Sequence, residues 1–438
     1  MSSDRPVRIV HLGLGAFFRA HQAWYTAHAP DAADWGIAAF TGRRPGLADA
    51  LNEQGCRYTL IERHPDGDRA ETIANLVRAH AGTDEDAWLA AVASPEVGIL
   101  TLTVTEAAYP EDPKRDESLA ADVRALAESP RASSVTGRVL AGLRARREAG
   151  SGPLAVVSCD NLPDNGTVLR RAVQWAAEHV DVELAAWIEA NVSFVSTVVD
   201  RITPAATDQD RATAKELAGW ADQCPVVTEP FSEWILAGDF PAGRPRWEDA
   251  GARFVDDVEV FERRKLWLLN GAHSLLAYAG ATRGHETVAA TMHDDVCVRW
   301  MNEWWDTAQR HLELSPDEVA SYRAALTERF GNPRIQHRLA QIGMDGSLKL
   351  PVRILPVLRA EVAAGREPVG ALRTLAGWIR HLRGDTFDVR DPAAAEFVAA
   401  AQGPVNDAVR SVLARLDGEL AERADVVSVV EELTQELE

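Results

Sequence analysis

The segment ERRKLWLLNGAHSLLAYAG, from Glu262 to Gly280, places a lysine, an amide and an imidazole at short spacings. On an α-helix turning about 100° per residue, Glu262, Leu266, Leu269 and His273 form one stripe. Lys265 and Asn270 flank that stripe on opposite sides, and the four polar residues fall within an arc of about 140°. Groups of these types can accept a proton and hold a polar ligand. Packing them beside leucine and tryptophan is costly unless they face a polar cleft. The same spacing fits a solvated helix face carrying a Glu262–Lys265 pair three residues apart. Leu266 and Leu269, set between the polar positions, favour the partly buried arrangement.

A second group lies near the start of the chain. GLGAFFRA begins at Gly13, directly after the apolar run RIVHLG (8–13). Gly13 and Gly15 match the first two glycines of a dinucleotide fingerprint, and Phe18 stands where the third would fall. Two glycines permit a tight turn and a close backbone approach to a pyrophosphate, and a following helix would offer unpaired N–H groups. The second strand candidate, WGIAAF (35–40), runs into Thr41-Gly42-Arg43-Arg44, with no acid for the ribose hydroxyls. NAD is the expected cofactor, with NADP possible: Arg43, a candidate cofactor contact, and its neighbour could accept a 2′-phosphate and favour NADP, or could form a solvated basic turn, so the choice stays open. Glu106 follows VGILTLTVT (97–105) and is placed by the fold argument near the nicotinamide, at the strand ends.

Other reactive types read as structural. His285, His293, Asp294 and Asp295 have no familiar metal-ligand spacing and fit a helix start, so no metal is expected. Cys159 reads as strand-end packing and Trp304–Trp305 as helix-packing bulk.

The elements that must position these groups fall into two halves. Up to about residue 257, apolar strand-like runs (8–13, 35–40, 58–61, 97–105, 154–160, 192–199) alternate with helical patterns such as Glu117–Ala127 and Ser134–Ala149. That alternation predicts an α/β, Rossmann-like doubly wound domain over 1–257. Beyond it, helical periodicities over Val258–Ala281, Asp295–His311, Asp317–Arg329, Leu355–Ala364, Val369–His381 and Pro392–Gln402 predict a mostly α-helical domain over 258–438. Ser315-Pro316-Asp317-Glu318 is a strong helix start.

Composition narrows the function classes. Of 438 residues, 46% are hydrophobic and 26% charged, as in globular proteins. A formal net charge of −20 argues against nucleic acid and anionic membrane surfaces as partners. No apolar run approaches the roughly 20 residues that span a bilayer, and the first residues do not resemble a secretory signal. Four scattered cysteines without a CxxC pair fit a reducing compartment, so a cytoplasmic location is expected.

Five ordered segments carry a resemblance: HLGLGAFFRAH (11–21), SCDNLPDNG (158–166), FVSTVVDRITP (194–204), KLWLLNGAHS (265–274) and MDGSLKLP (344–351). Together they resemble the polyol-specific long-chain dehydrogenases, the family of mannitol 2-dehydrogenase and fructuronate (mannonate) reductase. VDRITP and KxxxxNxxH are far more specific than the nucleotide fingerprint.

The resemblance implies roles by position. Lys265 would be the general base; Asn161 and Asn270 would polarise the reacting oxygen; His273 would orient substrate hydroxyls. Asp200 and Lys349 would contact substrate. Asn165 reads as a turn former before Gly166. The implied reaction moves a hydride between NAD(P) and a secondary alcohol, of the D-mannonate/D-fructuronate or the D-mannitol/D-fructose type, without metal. A lysine can take the hydroxyl proton only when neutral, so its pKa must fall well below about 10.4. Two side-chain amides can stabilise a developing alkoxide. The partner is then a small sugar alcohol, ketose or sugar acid, and the family suggests a monomer. MDGSLKLP leans towards sugar acids, whereas Gln341 stands where a further basic residue would favour them, so neutral polyols stay open. A dinucleotide-binding regulator without turnover is the alternative, and the set Lys265, Asn161, Asn270 and His273 argues against it.

Overall fold

The computed structural model describes residues 5–42, 45–110, 112–129 and 131–438. The chain divides into two compact units, Met1–Glu259 and Val260–Glu438.

Among the described residues the first unit holds eleven strands: β1 (Val7–Leu12), β2 (Gly36–Phe40), β3 (Tyr58–His64), β4 (Gly67–Ile73), β5 (Leu76–His80), β6 (Ile99–Leu102), β7 (Leu154–Ser158), β8 (Val192–Asp200), β9 (Val226–Thr228), β10 (Glu233–Ala237) and β11 (Arg253–Phe254). The main sheet runs β11-β10-β8-β7-β6-β1-β2-β5. Its strands are parallel except that β10 lies antiparallel to β8. From β1 the chain steps one way through β2 to β5, then the other way through β6 to β7 and β8. The strand order therefore reverses between β1 and β6, where open α/β sheets form a crevice at the strand ends.

β2, β6 and β7 are buried along their whole length, which explains their continuous apolar runs. Along β1, Ile9 enters the core on one face of the sheet, and Val10 and Leu12 enter the core on the other. Each such side chain contributes about 1.5–3 kcal/mol by leaving water. The run YTLI belongs elsewhere: β3 pairs with β4 and β9 in a separate three-stranded sheet. Pro65 and Asp66 turn the chain between β3 and β4 ahead of Gly67, a residue combination suited to a tight turn.

The second unit is helical, with main helices Asp295–Ala308, Pro316–Phe330, Leu355–Ala363, Val369–Leu382, Val405–Leu416 and Ala424–Glu436. The start expected at Ser315 is present: its hydroxyl accepts the Glu318 N–H at 3.3 Å and donates to the Glu318 carboxylate at 3.0 Å. Among the described residues no helix is long and apolar enough to cross a membrane.

Candidate functional site

A cavity of about 1250 Å³ opens at the reversal point of the main sheet, lined among others by Gly13, Gly42, Gly82 and Thr103–Thr105. Gly13 has φ 109°, and a Cβ there would meet the Thr103 carbonyl oxygen at 2.0 Å. Its N–H and that of Leu14 both donate to the Phe40 carbonyl, at 2.9 and 2.8 Å, hooking the turn over the end of β2. Gly13 is therefore required by the close approach of β6. Gly15 meets no atom nearer than 3.5 Å, so its missing side chain leaves room above the turn. The residues around this cavity suit a dinucleotide: glycine at the crossing point and three strand ends open to one side.

The side chain of Phe18 points into the core. It is fully buried, with its ring stacked on His11 at a centroid distance of 3.5 Å. It supports the turn from within the core and does not line the cavity. The reason is local: the helix after Gly15 spans only Ala16–Ala20 before breaking at His21, so this position turns inward. Glu106 is exposed in a short 3₁₀ turn whose neighbours Thr105, Ala107 and Ala108 line the cavity. Arg43 lies outside the described residues.

At the end of β7 the CDN segment forms a braced turn. Asp160 is buried, and Tyr109 donates its hydroxyl to the Asp160 carboxylate. The other carboxylate oxygen accepts the Leu162 N–H at 3.1 Å, across Asn161, which is exposed. Burial lifts the Asp160 carboxyl to about 6, with the Tyr109 hydrogen bond opposing. Asn165 is not a turn former. It is wholly buried, and its amide donates to the Asp160 and Thr197 carbonyls at 3.1 Å each while accepting the Thr197 N–H at 2.9 Å. The left-handed position falls on Asp164 instead (φ 50°), and Gly166 admits the backbone of β8. Asp200 ends β8 and is buried. The adjacent Arg201 is a structural pin, donating to the Ala20 carbonyl and the Glu62 carboxylate at 2.6 Å each.

In the second unit the segment from Glu259 is not a uniform α-helix. It is α-helical over Glu259–Arg264, π-helical over Lys265–Gly271, α-helical over Ala272–Leu275 and π-helical again over Leu276–Gly280. This revises the α-helical wheel. Hydrogen bonds from i to i+5 bring residues five apart towards one line, so Lys265 and Asn270 draw together instead of standing about 140° apart. Both are half-buried. Trp304 and Trp305 explain how the π turn is held: their indole N–H groups donate to the carbonyls of Trp267 and Leu268, at 2.8 Å each. Gly271 lets Trp304 approach, since a Cβ there would lie 2.6 Å from the indole ring.

His273 follows on the same helix, buried and stacked on Phe330 at 4.6 Å, with His337 edge-on at 4.8 Å. Its Nε2 is buried without a hydrogen-bond partner. Burial first, then the neighbouring His337 and the positive charges of Arg329 and Arg353, hold this imidazole well below the usual histidine range, so it is neutral. Arg353 donates to the Ser274 hydroxyl at 3.3 Å. Lys349, half-buried on Gly346–Arg353, donates to the Ile342 carbonyl at 3.3 Å. Gln341 is exposed.

Residues 7–249 match the family described as the mannitol dehydrogenase Rossmann domain, and 257–438 match the mannitol dehydrogenase C-terminal domain. The chain belongs to the mannitol dehydrogenase family. It is 38% identical to a D-mannonate oxidoreductase of Escherichia coli (strain K12), covering 98% of this chain and 93% of that protein. It is also 38% identical to a mannitol 2-dehydrogenase of Cereibacter sphaeroides, covering 86% and 81%. The structure of Pseudomonas fluorescens mannitol 2-dehydrogenase, a ternary complex with NAD and D-mannitol, superposes with a TM-score of 0.81 at 32% identity, covering 100% of this chain and 93% of that one.

Sequence reasoning about this mannitol dehydrogenase family member did not single out Tyr109, His337, Arg329 or Arg353. Their signal is spatial, since each reaches its neighbour from a distant part of its own unit. The structure also gathers His285, Asp294 and Cys297, with one ligand-type atom from each within 4.8 Å. Asp294 caps the helix Asp295–Ala308 through the Val296 N–H at 2.9 Å, and Arg283 reaches its carboxylate at 2.5 Å. Positive charge at this cluster is thus supplied by a guanidinium. All four cysteines are free and buried; burial pushes the Cys297 thiol to about 12 and raises those of Cys56, Cys159 and Cys224.

Proposed function

We propose that this chain interconverts the secondary alcohol of an open-chain sugar acid with its ketone, with Lys265 as the proton-transfer group. The chain is an NAD-dependent oxidoreductase of CH–OH groups, as its family and its relatives are. The observation that supports the residue assignment is the π turn over Lys265–Gly271, which turns Asn270 closer to the side of Lys265 than an α-helix would, with a neutral His273 further along the same helix.

Bound NAD would supply the acceptor for the hydride of the carbinol carbon. Lys265, when neutral, takes the hydroxyl proton on Nζ. Asn270, on the same helix, donates an amide N–H to that hydroxyl oxygen as it gains negative charge, and the family resemblance gives Asn161 the same kind of role. His273, held neutral, offers both a donor and an acceptor to neighbouring hydroxyls. The family resemblance gives Asp200 and Lys349 substrate-contacting roles, and Gly13 and Gly15 would admit the pyrophosphate.

A sugar acid of the D-mannonate/D-fructuronate kind is favoured because Arg329, Arg353 and Lys349 belong to the unit that carries His273, and the first two act on its charge. Cations close to neutral imidazoles suit a carboxylate. A neutral polyol such as D-mannitol is the second reading, favoured by exposed Gln341 and by the mannitol-named relatives. Four free, buried cysteines support a cytoplasmic setting. The monomeric state suggested by family resemblance is checked by light scattering.

The test is nicotinamide absorbance with D-mannonate, D-fructuronate, D-mannitol and D-fructose, using NAD(H) and NADP(H). Turnover of the sugar acids at higher kcat/KM than the polyols is expected. Lys265→Ala should lose about 10²–10⁴-fold in kcat while binding NAD normally. An unimpaired Lys265→Ala would overturn the mechanism; equal or better turnover of mannitol would overturn the substrate preference.

A further inference from the structure

We propose that Tyr109 and Asp160 are positioning residues that aim Asn161 and link it to the wall of the cofactor cavity. The inference rests on the reading of Asn161 as a donor to the reacting oxygen.

Asp160 does two things with one carboxylate. Its Oδ1 accepts the N–H of Leu162, two residues on, at 3.1 Å. A bond of that span closes a local turn with Asn161 at its centre, so the direction of Asn161 follows the tilt of the carboxylate. Its Oδ2 accepts the hydroxyl of Tyr109, which sits in the segment after β6. Ala107, Ala108 and Pro110, on both sides of that tyrosine, line the cavity. Tyr109 and Asp160 are each more than nine-tenths buried, so neither can exchange its partner for water without cost.

The base of the turn cannot yield. Asn165 holds the Asp160 carbonyl at 3.1 Å and is itself bonded both ways to the backbone of Thr197 on β8. With the main chain of Asp160 fixed to the sheet, its carboxylate is held by the Leu162 N–H, by Asn165 and by Tyr109, and Tyr109 is the one of these that comes from the cavity wall. A ligand that presses on the wall at 107–110 therefore acts on Asn161 through one hydroxyl and one carboxylate.

The experiment combines Tyr109→Phe with Asn161→Ala in the full chain. Three readouts are kcat, NAD affinity from nucleotide fluorescence, and deuterium uptake at the Leu162 amide. Tyr109→Phe should lower kcat roughly tenfold, as expected for one lost charge-assisted hydrogen bond, and should speed exchange at Leu162. In the Asn161→Ala background it should lower kcat no further, because the residue it positions is gone. Asp160→Asn keeps an acceptor for Leu162 and an amide that can bond the Tyr109 oxygen, so it should retain most of the rate, whereas Asp160→Ala should not. The same rate loss from Tyr109→Phe in both backgrounds, or unchanged exchange at Leu162, overturns the proposal. If Asn161→Ala leaves kcat intact, the assignment of Asn161 as donor fails, and Leu162 exchange alone then decides for or against the link.

Discussion

Replacing Trp305 by phenylalanine tests whether distant indoles hold the π turn under Lys265. Trp305 is almost completely buried, and its N–H donates to the Leu268 carbonyl at 2.8 Å. Phenylalanine removes that donor and shrinks the ring. A buried carbonyl left without its partner costs about 1–3 kcal/mol. The vacated volume costs about 1–2 kcal/mol more, if the site collapses only in part. A domain of this size shifts its melting temperature by about 2–4 °C per kcal/mol. The second unit should therefore melt roughly 5–15 °C lower.

Trp300→Phe is the matched control. Trp300 lies on the same helix, under the Arg373 guanidinium at 4.8 Å, and its substitution loses ring volume and part of that cation–π contact but no hydrogen bond to the Leu268 carbonyl. A second readout follows from geometry. If the turn relaxes towards an α-helix, Asn270 swings back towards about 140° from Lys265. Then kcat should fall while NAD affinity stays constant, since the nucleotide cavity is formed by the first unit. Thermal melts of the two variants that coincide, with kcat unchanged in Trp305→Phe, would refute the reasoning.

Three further outcomes are expected. Gly13→Ala should both destabilise the chain and abolish NAD binding, because its Cβ would lie 2.0 Å from a carbonyl oxygen at a φ that L-residues avoid; Gly15→Ala should melt like the parent yet bind NAD more weakly by isothermal titration. Asn165→Ala should cost about 2–5 kcal/mol in urea unfolding, since it leaves the Thr197 N–H and two carbonyls without their buried partner. Glu361, buried among Arg366, His311 and Arg310, is held at about 2 chiefly by the Arg366 hydrogen bond. A depressed carboxyl stabilises the fold above its ordinary value of 4.5 and loses that contribution as pH falls towards 2. Glu361→Gln should therefore flatten the stability–pH curve between those limits, measured by acid titration of the melting temperature.

The parts of the fold that were legible share one property: their burial is written in contiguous residues. β2, β6 and β7 are buried along their length and β1 over its last four residues, and all four read as mostly apolar runs. β9 and β11 span three and two residues, too short for any period to register, and β4 is largely polar. Val405–Leu416 and Ala424–Glu436 do carry apolar stripes, with Val409, Val412 and Leu413 on one and Val426, Val430 and Leu433 on the other. The capping and proline signals that flagged Ser315 are weaker there, because neither helix has a side-chain N-cap.

In the candidate site the residue types were legible and the angles were not. A helical wheel assumes one twist throughout, and the twist around Lys265 is altered by Trp304 and Trp305, about 40 residues downstream. Asn165 before glycine looks like a turn from sequence, because nothing local reveals that its amide faces Thr197 on another strand. Phe18 was aligned with a glycine of the fingerprint, yet a helix broken at His21 turns it into the core.

The burial of all four thiols gives the protein a chemically quiet exterior. Alkylating reagents find no accessible nucleophilic sulfur on the folded chain, and burial holds each thiol in its protonated, unreactive form. A single cysteine introduced at an exposed position such as Leu348 would then be the site a maleimide dye labels in the native state. Leu348 is one residue from Lys349, so a dye placed there would test whether substrate binds beside Lys349, without first stripping the natural cysteines from the sequence.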